Sequence, residues 1–455
     1  MLRPTLSSAV QRLPFKPVLL SSLLLSFSSM VPAMDLLQAY QTAQQQDATI
    51  LASRAAAQAG RERLPQARSQ LMPNVAMSVA RNQNNLVNTT PNSLGQEQTS
   101  ETHYPSLNRT LTVRQPLFRS YLAAQYRQAE AQVQEAEASL AQDEQNLAVR
   151  VSGAYFEAVL THEQLEMVLA QRKAYTTQLD AARKALIAGS GTRTDVDEAQ
   201  ARLDMTAAAE IEARQNIDYT LRQLQAMVNQ PIDKLAALDV SRFELQLPQP
   251  GRVEEWADMA EQGSPQLQAL RAQVEVAHQE VEKAKSGHFP TLDAVAQWSR
   301  SESENVTNVQ SRYTNASIGL QLNIPIYSGG YANSAIRQAL AGLERAQQVL
   351  EAGRREMALR VHKEFKSAIE SIPKIQALEQ SLRSADQWVL STQKSLQAGN
   401  RTVLDVLNAQ QQRTVVLRDL AQARYVFLMS KIRLLSLVGR ADEAEVGQMS
   451  QMLKH

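Results

Sequence analysis

Two short stretches of this 455-residue chain pair a hydroxyl with a carboxylate at the same spacing. They are AGSGTRTDVDEAQ (Ala188 to Gln200) and AGNRTVLDVLNAQ (Ala398 to Gln410), carrying Thr192 with Asp195 and Thr402 with Asp405. A threonine three residues ahead of an acid is the pattern of a capping box, in which each side chain satisfies the other's backbone N–H at a helix start. Gly189 and Gly399 stand just before, where a left-handed residue closes the preceding helix. Each stretch is therefore predicted to be a helix–turn–helix tip, and capping by itself accounts for Asp195 and Asp405. A second chemistry is compatible with the first. Repeated around a symmetry axis, such carboxylates form a ring that selects cations, as charged rings do in channels. Catalysis finds no comparable pattern. The histidines (His103, His162, His278, His288, His362 and His455) are scattered, with no H-E-x-x-H pair. AGSGTRT lacks the G-K-[ST] of a phosphate-binding loop. No enzyme activity, cofactor or metal is predicted.

The tips must be held by the elements around them, and those elements are duplicated. YLAAQYRQA (Tyr121 to Ala129) aligns with YANSAIRQA (Tyr331 to Ala339) at an offset of 210 residues. The tips share that offset, as do Val151 and Tyr155 with Val361 and Phe365. Residues 119–188 and 329–398 are dense in Ala, Gln, Leu, Glu and Arg, good helix formers. A helix of that length reaches ~100 Å, far beyond a globular-domain helix. In the second tract Leu378, Leu382, Ala385, Val389 and Leu396 trace a coiled-coil seam. Pro373 is expected to kink or break this tract. Shorter helices are predicted over about 35–71, 195–229, 252–286 and 403–437.

Between the helices lie segments of a different period. From Ser317 to Ile326, Ile318, Leu320, Leu322, Ile324 and Ile326 alternate with polar or small residues, the pattern of a strand with one apolar face. Leu292, Ala294, Ala296 and Trp298 repeat it, as do Val75, Met77 and Val79, then Leu111 and Val113. Each half thus supplies one hairpin, about 74–118 and 290–327, with polar loops over 82–109 and 300–312. Prolines bracket the hairpins as strand–helix junctions: Pro73 and Pro116, then Pro290 and Pro325. Four strands cannot close around a lumen, since the smallest barrels need eight. Two copies give a filled eight-stranded plug and three give a twelve-stranded pore, which is favoured. A soluble sandwich, or a periplasmic coiled-coil adaptor or scaffold, stays compatible with the periodicity.

Arg3, Arg12 and Lys16 precede an apolar stretch, Val18 to Phe27, and a small-residue site, Val31-Pro32-Ala33. This is a secretory signal over residues 1–33. Its three positive charges, once removed, take the net charge from +1 to about −2, which gives no pull toward nucleic acid. Cysteine is absent, so neither disulfides nor a lipid-bearing cysteine are available. No later apolar run is long enough for a spanning helix, so any span must be made of strands.

The duplicated unit, the proline-bracketed hairpins and AGNRTVLDVLNAQ resemble the TolC-type outer-membrane efflux and secretion family. The similarity runs from MDLLQAYQTAQQQDATILASRAA to RYVFLMSKIRLLSLVG. It implies an α+β membrane protein: a long coiled-coil α-helical barrel plus a trimeric twelve-stranded transmembrane β-barrel, four strands per protomer, in two tandem repeats. The repeats are 34–230 and 251–438, joined by a linker over 231–250 and followed by a tail over 439–455. Linker and tail are expected to pack around the waist of the tunnel near Pro373. The resemblance places the chain in the outer membrane of a Gram-negative cell with its tunnel in the periplasm. Implied partners are two further copies, outer-membrane lipid, a periplasmic adaptor and an inner-membrane ABC or RND transporter. Type I protein secretion is favoured as the route, with small-molecule efflux as the alternative. By position, the resemblance makes Arg401 a linking arginine, Asp405 the first entrance aspartate, and Asp195 with Thr194 the partner region on the other coil. Asn408 stands where a second entrance aspartate is expected, and Leu396 where a linking tyrosine is. The entrance is therefore expected to carry a weaker acid ring and to open more easily.

Overall fold

A computed structural model describes residues 33–304 and 310–453; the predicted signal segment lies almost wholly outside the described residues. The first repeat opens on three short helices, α1 (Leu36–Gln46), α2 (Ala48–Arg61) and α3 (Arg63–Ser69). One helix over 35–71 was expected. It divides at Asp47, whose backbone is extended and whose carboxylate accepts the Ile50 N–H at 2.9 Å, starting a new helix instead of continuing the old one. Strands β1 (Asn74–Pro91) and β2 (Glu97–Phe118) follow, then α4 (Ser120–Ile187, 68 residues) and α5 (Arg193–Val228).

The second repeat runs α6 (Val253–Gly263), α7 (Pro265–Lys285), β3 (Thr291–Glu304), β4 (Gln310–Asn323), α8 (Tyr331–Gln397, 67 residues) and α9 (Val403–Leu437), with α10 (Glu443–Ser450) in the tail. The predicted helix over 252–286 divides before Pro265, because the residue ahead of a proline is pushed out of the helical region. Pro373 does not break α8, which runs unbroken through it. One missing backbone bond is a local loss in a helix packed along its length against α7 and α9. No helix among the described residues is long and apolar enough to cross a membrane.

The long helices are held at mid-length by a single core. Val151, Tyr155 and Phe156 of α4 meet Val361, Phe365 and Ile375 of α8 and Leu428 and Ile432 of α9. Ile232 and Leu238 of the linker and Val446 and Leu453 of the tail enter the same core. Backbone bridges join Met34, just ahead of α1, to the linker at Leu235, and the linker at Leu238 to the tail at Leu453. A glycine in each repeat allows two helices to approach closely, on the short helix in the first and on the long helix in the second. A Cβ on Gly60 of α2 would stand 2.6 Å from the Ala136 Cβ of α4, and one on Gly353 of α8 would stand 2.5 Å from a methyl of Leu270 on α7.

The four strands form one antiparallel sheet in the order β1-β2-β3-β4. Its register places Val75, Val113, Ala296 and Ile318 in one row and Met77, Leu111, Trp298 and Ala316 in the next, with Leu292 beside Leu322. All share one face, since side chains alternate along each strand. The opposite face carries Ser78, Thr110, Thr112, Gln297, Ser317 and Gln321 by the same register. Several expectations shift here. Most of 82–109 is strand, not loop: β1 and β2 pair from Asn74–Arg114 out to Pro91–Glu97, leaving only the turn at 92–96. Cross-strand bonds Asn84–Ser106, Asn85–Glu101 and Thr89–Thr99 support this polar extension. In the second hairpin the predicted loop 300–312 is mostly ladder too, with 305–309 outside the described residues. β4 stops at Asn323, short of Ile324 and Ile326, because Pro325 cannot donate to a ladder. Pro73 and Pro290 directly precede β1 and β3, whereas Pro116 sits inside β2 at a register shift next to Phe118.

Candidate functional site

Both tips are built alike. At the first, Gly189 turns left-handed (φ +74°) and the Ser190 N–H reaches back to the Ala185 carbonyl at 3.0 Å. At the second, Gly399 (φ +77°) does the same and the Asn400 N–H meets the Ser395 carbonyl at 2.9 Å. The backbone angle needs glycine, and the extra bond satisfies carbonyls left over at the helix end. The returning helices then start on reciprocal caps. The Thr192 hydroxyl accepts the Asp195 N–H at 3.2 Å while the Asp195 carboxylate accepts the Thr192 N–H at 3.0 Å. Thr402 and Asp405 repeat this at 3.2 and 2.9 Å. Thr194 lies exposed beside the first cap. Beneath that tip Leu179, Ala182, Val196 and Ala199 make a small core between α4 and α5.

Arg401 pairs with Asp405 of its own turn, Nη1 to Oδ1 at 3.5 Å, and within one chain does not reach the first coil. The Thr402 backbone N–H and hydroxyl, aided by Arg401, hold the Asp405 carboxyl below the usual carboxylate range. A group whose pKa is depressed on folding contributes stability above its unfolded pKa, and that stability is lost as pH falls through the folded value. The second cap is therefore expected to survive mildly acidic pH and to loosen only below the ordinary carboxylate range. Hydrogen exchange of the Thr402 and Asp405 amides against pH measures this; protection lost already above the ordinary range would refute it.

The cross-coil contact was not foreseen. Arg202 of α5 donates through Nη1 to Gln411 Oε1 at 2.5 Å and through Nη2 to Asn408 Oδ1 at 3.1 Å, both on α9. The available signal was the repeat itself: the position equivalent to Arg202 in the second copy is Gln412, so only the first copy carries a long cation there.

A second junction joins the sheet to the helices. Asp293 of β3, 4% exposed and on the polar face, accepts from Arg119 just ahead of α4, Nε to Oδ1 at 2.8 Å and a second bond from Nη2, with Arg114 Nε 4.0 Å away. A strand of the second repeat is thus anchored to the long helix of the first by a forked, charge-assisted pair.

Sheet, paired long helices and capped tips form one continuous unit, and this unit is similar to known proteins over most of its length. A family model described as "Outer membrane efflux protein" matches residues 39–230 and 256–440. The alkaline protease secretion protein AprF of Pseudomonas aeruginosa is 34% identical over 418 residues, covering 91% of this chain and 86% of its own. The proteases secretion protein PrtF of Dickeya chrysanthemi is 30% identical over 437 residues, covering 96% and 94%. Among solved structures, CusC superposes with a TM-score of 0.76 at 15% identity over 90% of this chain and 92% of its own. The chain belongs to the outer membrane efflux protein family.

Proposed function

We propose that this chain is the outer-membrane exit duct of a polypeptide export system, conducting cargo rather than transforming it. One observation carries the reading: a sheet with one apolar face and two unpaired edges runs directly into helices long enough to cross a periplasm. An apolar sheet edge cannot stay open in a bilayer, where each unpaired backbone group costs several kcal/mol, so β1 of one copy pairs with β4 of the next. Three copies close a twelve-stranded pore, with the polar face inward and the helices continuing as a tunnel. The tips form the periplasmic entrance, where Asp405, Asn408, Arg401, Asp195 and Thr194 line or link the opening. An adaptor and an inner-membrane ABC or RND transporter deliver the substrate. The similarity to two proteins named for protease secretion favours polypeptide cargo over small molecules.

Deleting the gene tests the route. Loss of a secreted polypeptide from the medium with drug tolerance intact is the expected outcome. Drug hypersensitivity with unchanged secretion would instead assign the duct to efflux.

A further inference from the structure

We propose that Arg202 is a clasp, a positioning residue that ties the second tip coil to the first and leaves an unneutralised positive charge beside the entrance; this rests on the reading of the tips as the mouth of the duct. Three observations carry it. The first is position. Arg202 lies nine residues into α5, and Gln411 eight residues into α9, so both stand roughly 12–14 Å above the turns. The next polar link between the coils is the Tyr425 hydroxyl donating to Glu163 at 2.8 Å, some 35 Å from the tips at the same rise per residue. Between that level and the turns, the hydrogen bonds joining the coils among the described residues are those of Arg202. Other cations on this stretch stay within one coil: Arg193 on Asp197, Arg172 and Arg214 on Glu210, Arg401 on Asp405, and Arg413 on Asp386.

The second observation is geometry. Asn408 and Gln411 are three residues apart and so present their amides on one face of α9. A planar guanidinium can donate to both at once, which a single ammonium point charge does less well. A fork held by two acceptors fixes the angle between the coils as well as their separation.

The third is charge. Both partners are neutral amides, so no carboxylate cancels the guanidinium. Asp405 lies one helical turn before Asn408 on the same helix and has its own cation, Arg401, so the Arg202 charge is additional to that pair. The substitution of asparagine for an expected acid thus gains a structural account. An aspartate at 408 would give Arg202 a full ion pair; the amide accepts the same bond and leaves the positive charge in play. The expectation of an easily opened entrance drawn from Asn408 and Leu396 is offset by a link on the opposite coil.

Planar-bilayer recordings of the intact trimer under a salt gradient test the clasp. Arg202→Gln removes both fork and charge, whereas Asn408→Ala/Gln411→Ala removes the acceptors and keeps the charge. Both are expected to raise single-channel conductance several-fold, and only Arg202→Gln should move the reversal potential toward cations. An SDS-resistant trimer on an unboiled gel confirms assembly of each variant, and either one that assembles suffices to read the conductance. Wild-type conductance in the assembled variants would overturn the clasp while leaving the duct standing. A rise confined to Arg202→Gln would overturn it too, assigning the effect to charge alone. A wild-type chain that inserts no pore would sink the duct reading and the clasp together.

Discussion

Leu320→Arg is expected to strip the chain from the outer membrane, while Gln321→Arg, one residue along, leaves it there. Both positions are exposed in a single copy, so exposure does not separate them. Register does. Leu320 shares its face with Ile318 and Leu322 and lies opposite Ala294, whereas Gln321 lies opposite Asp293 on the polar face. A guanidinium on the lipid side of a barrel costs about 2–4 kcal/mol near the bilayer centre, and three copies incur it together. On the inner face the same group meets water, and Asp293 stands across the ladder. The SDS-resistant trimer recovered from outer-membrane fractions is the readout. Equal recovery of the two variants would show that this face does not meet lipid.

The second large effect is expected at Tyr155. Tyr155→Ala removes a fully buried ring from the waist and should cost about 3–5 kcal/mol, the range for truncating a large aromatic in a core. Tyr155→Phe is more informative. The hydroxyl donates to the carbonyls of Met34 at 3.0 Å and Ala236 at 2.9 Å, tying the start of the chain and the linker to the middle of α4. Burial pushes this phenol's pKa up, so it stays a donor throughout the physiological range. The equivalent residue in the second repeat is Phe365, 6% exposed, which packs the same core without a hydroxyl. Losing the Tyr155 hydroxyl leaves the Ala236 carbonyl without that bond, about 1–3 kcal/mol, while the Met34 carbonyl still accepts the Ala236 N–H at 3.1 Å. The temperature at which the trimer dissociates should fall, and proteolysis within residues 231–250 should quicken. If Tyr155→Phe matches wild type in both, linker and tail are held by their backbone bridges and apolar packing alone.

The residues themselves determined a great deal. Offset, helix-former density and period-2 alternation located the repeat, both long helices, both hairpins and both capped tips within a few residues. These are local signals, set by backbone propensity and by side chains three or four positions apart. Asp195 and Asp405 could be placed at helix starts for that reason. What failed were boundaries governed by partners. The stretch 82–109 is polar and reads as loop, yet it is ladder, because a strand's backbone bonds depend on the strand beside it and not on its own hydropathy. Pro373 reads as a break, yet α8 continues, because packing on both sides outweighs one lost bond. The repeat marks Arg202 only as a cation that the second copy lacks, not as a link. Its partners lie more than two hundred positions away on another helix, and only the folded arrangement of two coiled coils brings that guanidinium to Asn408 and Gln411. Local patterns in the residues were enough to specify two copies of one unit with matching tips. Where the two repeats touch depends on packing geometry between helices far apart in the chain, which no local pattern encodes.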